Sequence, residues 1–412
     1  MTTDKKTGRR GITGVGIMFA SNGAIFAALL PWYPTIATRL NLSAVEFGFM
    51  VASFAVGAIV SSALPARLIA RYGPVKVSIV GTVLLALAII AAPWATTGWM
   101  FAACLFFAGF FDAIVDVAQN VAGIRVQDVV GRSILSSMHA FWSLGGVASG
   151  AISTAAAAAG VDMRLQLAIM GVAGATLVIV GALMTASLSA NPAPAAAPAA
   201  TTGSRSQRWG RVTLLALPLV IIAICGTMVE DIANNWAAMA GMQLVGLPAQ
   251  VAGLAFTVVI GAQCIGRFTG DLLIERWGRA NVARLGGAMI ALGGLVLVLN
   301  RADIGALFFG LAAMGYGSAT LVPSAFSAAA KLPGISEGAG VTIISWLMRL
   351  GFLFTSPLIG TITDTAGLRW GLGTLIIIGI TTVTLAGALR PRPTSTETEV
   401  VPSRDKAGVG AA

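Results

Sequence analysis

Charged side chains are scarce in this sequence: 26 basic and 16 acidic residues among 412, or 10%, against about 25% in soluble domains. So few charges cannot cover the surface of a water-soluble globule of this length. Histidine occurs once and cysteine three times. Cys104, Cys225 and Cys264 sit inside apolar stretches with no metal-ligand or Cys-x-x-Cys spacing, which argues for packing residues and against disulfides or metal ligands. What the chain has in place of charge is apolar surface, with 57% hydrophobic residues and a mean hydropathy of +0.87. The solvent for most of it is lipid. A net charge of +10 and a pI near 10.4 do not indicate nucleic acid, because the basic residues lie between apolar runs and form no single patch.

Apolar runs of about 18 or more residues, the length a helix needs to cross a bilayer, lie near 12–36, 46–66, 77–95, 98–124, 136–160 and 165–188. After a break near 190–210 they resume near 212–238, 248–273, 284–300, 304–328, 338–362 and 370–389. The pattern predicts an all-α integral membrane protein of 12 transmembrane helices in two six-helix bundles, 12–190 and 212–389. Residues 1–11 form a basic N-terminal segment, and the first run is too long for a signal peptide and has no small-residue cleavage site. Residues 191–211 read as a Pro/Ala/Ser-rich linker, and 390–412 as a disordered polar tail.

Orientation follows from the basic residues. With the N-terminus placed inside, Lys and Arg divide 20 inside to 4 outside, the outer four being Arg39, Arg164, Arg301 and Arg369. That asymmetry predicts an even helix count with both termini cytoplasmic. The halves also match at a shift of 205 residues, where Arg71-Tyr-Gly73 falls on Arg276-Trp-Gly278. Duplicated six-helix halves are a transporter architecture.

Helices 3, 6, 9 and 12 carry no ionisable residue in their apolar cores and suit contact with lipid. Helices 1, 4, 7 and 10 carry Asn22; Asp112, Asp116, Gln119 and Asn120; Glu230, Asp231, Asn234 and Asn235; and Tyr316, Ser318 and Thr320. A charge at the bilayer centre costs about 2.5–3.5 kcal/mol even on lenient scales, so these residues predict a central wet cavity.

This arrangement, with Arg-x-Gly loops after helices 2 and 8, resembles the major facilitator superfamily over residues 12–389. More narrowly, Asp116-Val-Ala-Gln-Asn120, His139-Ala-Phe-Trp-Ser-Leu-Gly-Gly146 and Glu230 through Trp236 are similar to a poorly characterised bacterial branch related to fucose-permease-like members. The resemblance implies a secondary transporter working by alternating access in the bacterial inner membrane, as a monomer and without a cofactor. The family's acid before Arg-x-Gly is replaced by Ala70 in the first copy and kept as Glu275 in the second. Gating weight therefore falls on Asp271, Glu275, Arg276 and Gly278, with Arg267 beside them, more than on Arg71 and Gly73.

Asp112, Asp116 and Asn120 share one helical face, and carboxylates held away from water suit proton carriage. The alternative is an acid that is paired in every state and locks packing. His139 is placed to relay protons or to act as a structural hydrogen bonder. Glu230 and Asp231 point about 100° apart, and Glu230 is assigned to the cavity. Asn22, Gln119, Asn120, Asn234, Asn235, Trp236 and Tyr316 are candidate substrate contacts. Arg349, midway along helix 11, needs either an acidic partner or an anionic substrate.

The residues thus predict a gradient-driven, proton-coupled transporter of a small solute, since no Gly-x4-Gly-Lys-Ser/Thr phosphate loop for ATP occurs. No catalytic cluster points to an enzyme. The alternatives are a drug-efflux antiporter, or a receptor that keeps the transporter architecture without moving solute.

Overall fold

In the computed structural model, which describes residues 2–131, 134–185, 205–329, 332 and 344–390, the regular elements are helices and the described residues contain no strand. In lipid every backbone group must be satisfied within its own segment, and apolar runs of this length do so as helices. The first run forms α1 (Thr2–Leu29), a 3-10 turn (Leu30–Trp32) and α2 (Tyr33–Arg39). It is followed by α3 (Ala44–Ser61), α4 (Pro65–Tyr72), α5 (Pro74–Ala91), α6 (Gly98–Val130), α7 (Leu135–Ala158) and α8 (Met163–Thr185). The second half contains α9 (Arg205–Val245), α10 (Ala249–Trp277), α11 (Arg279–Leu299), α12 (Ile304–Ser318), α13 (Leu321–Ala329), α14 (Arg349–Ala366) and α15 (Leu368–Leu385).

By length and composition, 10 segments among the described residues can cross a membrane. Helices α7 and α14 pack both within their own half and across to the other, α7 against α1 and α10, α14 against α9 and α3. Leucines and other large apolar side chains stand exposed on α5, α8, α11 and α15, among them Leu87, Leu183, Leu299 and Ile377. Leaving each such side chain in water costs about 1.5–3 kcal/mol, so this outer surface belongs in lipid.

Several boundaries differ from the hydropathy pattern. Helix α1 starts at Thr2 and takes in Lys5, Lys6, Arg9 and Arg10, which were expected to precede it; long basic side chains are good helix formers. The first run tightens at Leu30–Trp32 because Pro31 and Pro34 remove two backbone donors. The second run stops at Ser61 and restarts at Pro65, and the tenth is interrupted between Ser318 and Leu321. Residues 344–347 are helical and Met348 is a turn, so Arg349, expected midway along a continuous helix, opens α14 directly after an interruption of the eleventh run. The carbonyl of the preceding Met348 accepts Thr227 Oγ1 at 2.9 Å and the Gly351 N–H at 2.9 Å, which interrupts the helical ladder there. Residues 191–204 of the expected linker and 391–412 of the tail lie outside the described residues, whereas 205–211 already belong to α9.

The face on which α1 begins is called proximal here, the opposite one distal. Single residues join helices at two proximal corners: Gly73 (φ 81°, ψ 155°) between α4 and α5, and Gly278 (φ 76°, ψ 153°) between α10 and α11. A side chain rarely tolerates this backbone conformation, so glycine is required at both corners. The two Arg-aromatic-Gly sequences thus share one geometry as well as one pattern.

The halves meet along α3–α14 and α7–α10. At the distal end they are in direct contact: Phe47 stacks edge-on against Trp236 with centroids 5.5 Å apart, and Asp364 receives the backbone N–H groups of Ala44 and Val45. A Cβ on Gly48 or Gly360 would run into backbone of the opposite half, so these glycines set how closely the seam closes. On the proximal side Arg71, Glu275 and Arg276 are exposed, and among the described residues no hydrogen bond or ion pair joins them to the other half. Among the described residues the cleft between the halves is closed distally, and on the proximal side these groups stand exposed.

Candidate functional site

The four-residue spacing on α6 places Asp112, Asp116 and Asn120 in one stripe facing the cleft. Asn22 of α1 donates Nδ2 to Asp112 Oδ1 at 3.1 Å, while its own Oδ1 is buried with no partner among the described residues. Asn120 donates Nδ2 to Asp116 Oδ1 at 3.0 Å and to the Asp116 carbonyl at 2.8 Å. Asp116 itself is exposed to the cleft. His139, near the start of α7, packs edge-on against Phe19 at 5.3 Å and lies within electrostatic reach of Asp116, Glu230 and Arg267.

One turn along α7, Ser143 connects the halves. Its hydroxyl accepts a hydrogen bond from Arg267 Nη1 of α10, while Arg267 Nη2 pairs with Glu230 Oε1 of α9 at 3.1 Å. Arg267 was expected to serve the proximal gate, but its side chain reaches into the cleft, because one face of α10 packs on both α9 and α7. Glu230 is half-buried beside this pair, and Asp231 turns into the protein toward α14. The side chain of Asp271 lies outside the described residues. A chain of polar groups therefore runs from Asp112 and Asp116 past His139 and Ser143 to Arg267 and Glu230, inside a largely apolar bundle.

Arg349 sits at the edge of this chain. Its Nη1 donates to the Ala58 carbonyl at 3.4 Å, and Asp112 and Asp116 lie within electrostatic reach. Of the two partners expected for Arg349, an acid or an anionic substrate, no carboxylate lies at ion-pair distance among the described residues.

Other expected cavity residues are held elsewhere. Gln119 is buried and donates to the Met18 carbonyl at 3.0 Å, tying α6 to α1. Asn234 is buried on α9. Asn235 donates to Asp231 Oδ1 at 2.8 Å and to Ser356 Oγ at 3.1 Å, and Trp236 Nε1 also reaches Ser356 Oγ at 3.1 Å. Ser356 in turn donates to Asp231 Oδ2, completing a buried network between α9 and α14. Tyr316 shares a hydrogen bond with Thr269 Oγ1 at 2.8 Å beside Gly266 and Gly270, within the α10–α12 contact. Gly73 and Gly278 are corner residues, and Arg71 packs its guanidinium over Tyr72 at 5.2 Å.

Ser143, Ser356 and Asp364 carry interactions that the sequence did not signal. Serine in an apolar helix passes for a small packing residue, and each partner lies more than a hundred positions away.

The sequence profile of the Major Facilitator Superfamily matches residues 15–243 and 219–409. An uncharacterized transporter of Sinorhizobium fredii is 27% identical over 362 residues, covering 86% of this chain and 92% of the relative. Among solved structures, a D-xylose–proton symporter superposes with a TM-score of 0.68 at 14% identity, covering 92% of this chain and 95% of that one. A bacterial homologue of the human lysosomal transporter Spinster, in an inward-facing and occupied conformation, superposes with a TM-score of 0.69 at 14% identity, covering 92% and 96%.

Proposed function

Because the chain belongs to the Major Facilitator Superfamily and is a multi-pass membrane protein of that fold, we propose that it is a secondary active transporter that moves a small solute by alternating access, coupled to protons. The observation that carries this reading is the polar chain from Asp112 and Asp116 through His139 and Ser143 to Arg267 and Glu230, which crosses from one half to the other at the cleft. Carboxylates in such a place exchange protons only when the cleft opens to one side, and that is the requirement for coupling. The proximal face is assigned to the cytoplasm on the 20-to-4 division of basic residues, with both termini inside and the protein in a bacterial inner membrane. The structural likeness to a D-xylose–proton symporter is in keeping with proton use. Residues 12–190 and 212–389 are the two bundles that rock against one another, in a monomer.

The reading is tested with purified protein in liposomes that carry a trapped pH dye. Addition of a transported solute from a broad panel should acidify or alkalinise the lumen, and Asp116→Asn should abolish that signal. Solute movement with no proton movement would remove coupling, and no movement of any solute would remove the transporter reading.

A further inference from the structure

The two interrupted helices face one another. Helix α3 ends at Ser61, where the Ser62 N–H turns to the Ile59 carbonyl at 3.2 Å, and the chain re-enters a helix at Pro65, which has no N–H to donate. This leaves the Ala58 carbonyl to the Ser61 hydroxyl at 3.1 Å and to Arg349 at 3.4 Å. Across from it α14 starts at Arg349. Between the two breaks lies a cavity of about 280 Å³ lined by Ser62, Pro65, Val117, Ser345, Trp346 and Arg349. Its size is close to the lower end of the about 300–1,000 Å³ common for small-molecule sites.

Arg349 has five N–H donors, and its hydrogen bond to Ala58 is longer than the ordinary range of about 2.7–3.2 Å. It is half-buried, and no carboxylate lies within ion-pair distance among the described residues. A guanidinium with donors unused among the described residues, two serine hydroxyls and an indole around one cavity form a fitting receptor for a planar anion with an apolar body. The guanidinium fork takes both carboxylate oxygens, the hydroxyls add donors, and the indole packs on the remainder.

We infer that Arg349 anchors the carboxylate of a small organic anion in this cavity, and that protons on Asp112 and Asp116 favour its capture. This inference names the substrate class of the proposed transporter and rests on that reading for its role in transport, though not for binding. The groups that face the two acids are Asn22 on α1, Asn120 on α6, His139 on α7 and Arg349 on α14, with Glu230 and Arg267 acting on His139 from α9 and α10. Ionised, Asp112 and Asp116 attract the guanidinium and repel an entering anion; protonated, they do neither. Anion affinity therefore rises as pH falls, and by reciprocity anion binding draws protons onto the acids.

The test is equilibrium binding to the purified full-length protein, followed by tryptophan fluorescence, with benzoate against benzamide, succinate against succinamide, and phenyl phosphate as a third anion. At least one carboxylate should bind about tenfold more tightly than its amide at pH 6, within the usual range of coupling between sites. Arg349→Gln should erase that preference and Arg349→Lys reduce it, both judged on monodisperse protein. Asp112→Asn leaves the guanidinium in place and should strengthen carboxylate binding at pH 8 while flattening its pH dependence. Equal binding of acids and amides, binding of neither, a preference that survives Arg349→Gln, or selectivity for phenyl phosphate alone would each overturn the proposal. Proton-coupled flux of a neutral solute without carboxylate binding would sink the subsite and leave the transporter standing. Selective carboxylate binding with no flux would do the reverse.

Discussion

Asp364, at the end of α14, takes the backbone N–H of Ala44 at 2.9 Å on one carboxylate oxygen, and that of the adjoining Val45 at 3.0 Å on the other. Helix α3 already has an internal cap in Ser43 and Glu46, but the first two N–H groups of a helix have no partner within it. A carboxylate from the opposite half supplies both and meets the positive end of the helix. The distal closure therefore rests partly on one acid. Asp364→Asn removes the charge and one of the two bonds, at a cost of about 1 kcal/mol. If alternation operates, maleimide labelling of Val45→Cys at the seam should then speed up about fivefold, the population change that such an energy implies. An unchanged rate would mean the glycine contacts hold the seam without it.

The Arg267–Glu230 pair with its Ser143 contact predicts a measurable coupling. Side-chain exposures of 24% and 17% put the pair between surface and core. Single substitutions Arg267→Gln and Glu230→Gln should each destabilise the protein, and the double variant should recover about 0.5–3 kcal/mol relative to their sum. Thermal unfolding in one detergent gives the cycle. Strict additivity would show that the two groups do not interact energetically.

Coupling makes a separate demand on the acids. Asp116→Asn and Glu230→Gln should each impair accumulation against a gradient, and at least one should leave exchange between internal and external solute intact, because exchange needs no net proton movement. Wild-type accumulation ratios in both variants would take these residues out of the mechanism.

Topology can be read with reporter fusions. Fusions after Gly160 and Asn300 should report outside, and those after Ala200 and Arg390 inside. An outside signal at Ala200 would end the two-halves arrangement, since it would require one half to be inverted.

Much of the helical framework was legible because a bilayer demands long apolar runs and because glycine corners are marked by sequence. The stripe of Asp112, Asp116 and Asn120 was legible for the same reason, since spacing along a helix fixes a face. The interruptions at Ser62, Ala319 and Met348 were not, because each depends on a carbonyl or N–H being taken by a distant partner, as Thr227 takes the carbonyl of Met348. A polar residue in an apolar helix declares that it needs a partner without naming one. Gln119, Asn235 and Trp236 were assigned to the cavity on that ground, yet the backbone of α1 and the Asp231–Ser356 pair claim them. Asp364 sits 320 positions from the backbone it caps, beyond any local pattern.

Gly73, Gly278 and Gly367 each end one helix and begin the next, with ψ within 153–155° at all three. A joint one residue long has no slack. When α10 tilts, α11 must travel with it, and α15 must follow α14, since no loop can stretch to absorb the difference. Motion between the halves is therefore transmitted as leverage: a small rotation at the cleft reappears, undamped, at the lipid-facing helices. The surrounding bilayer becomes part of the load that any change of state has to shift.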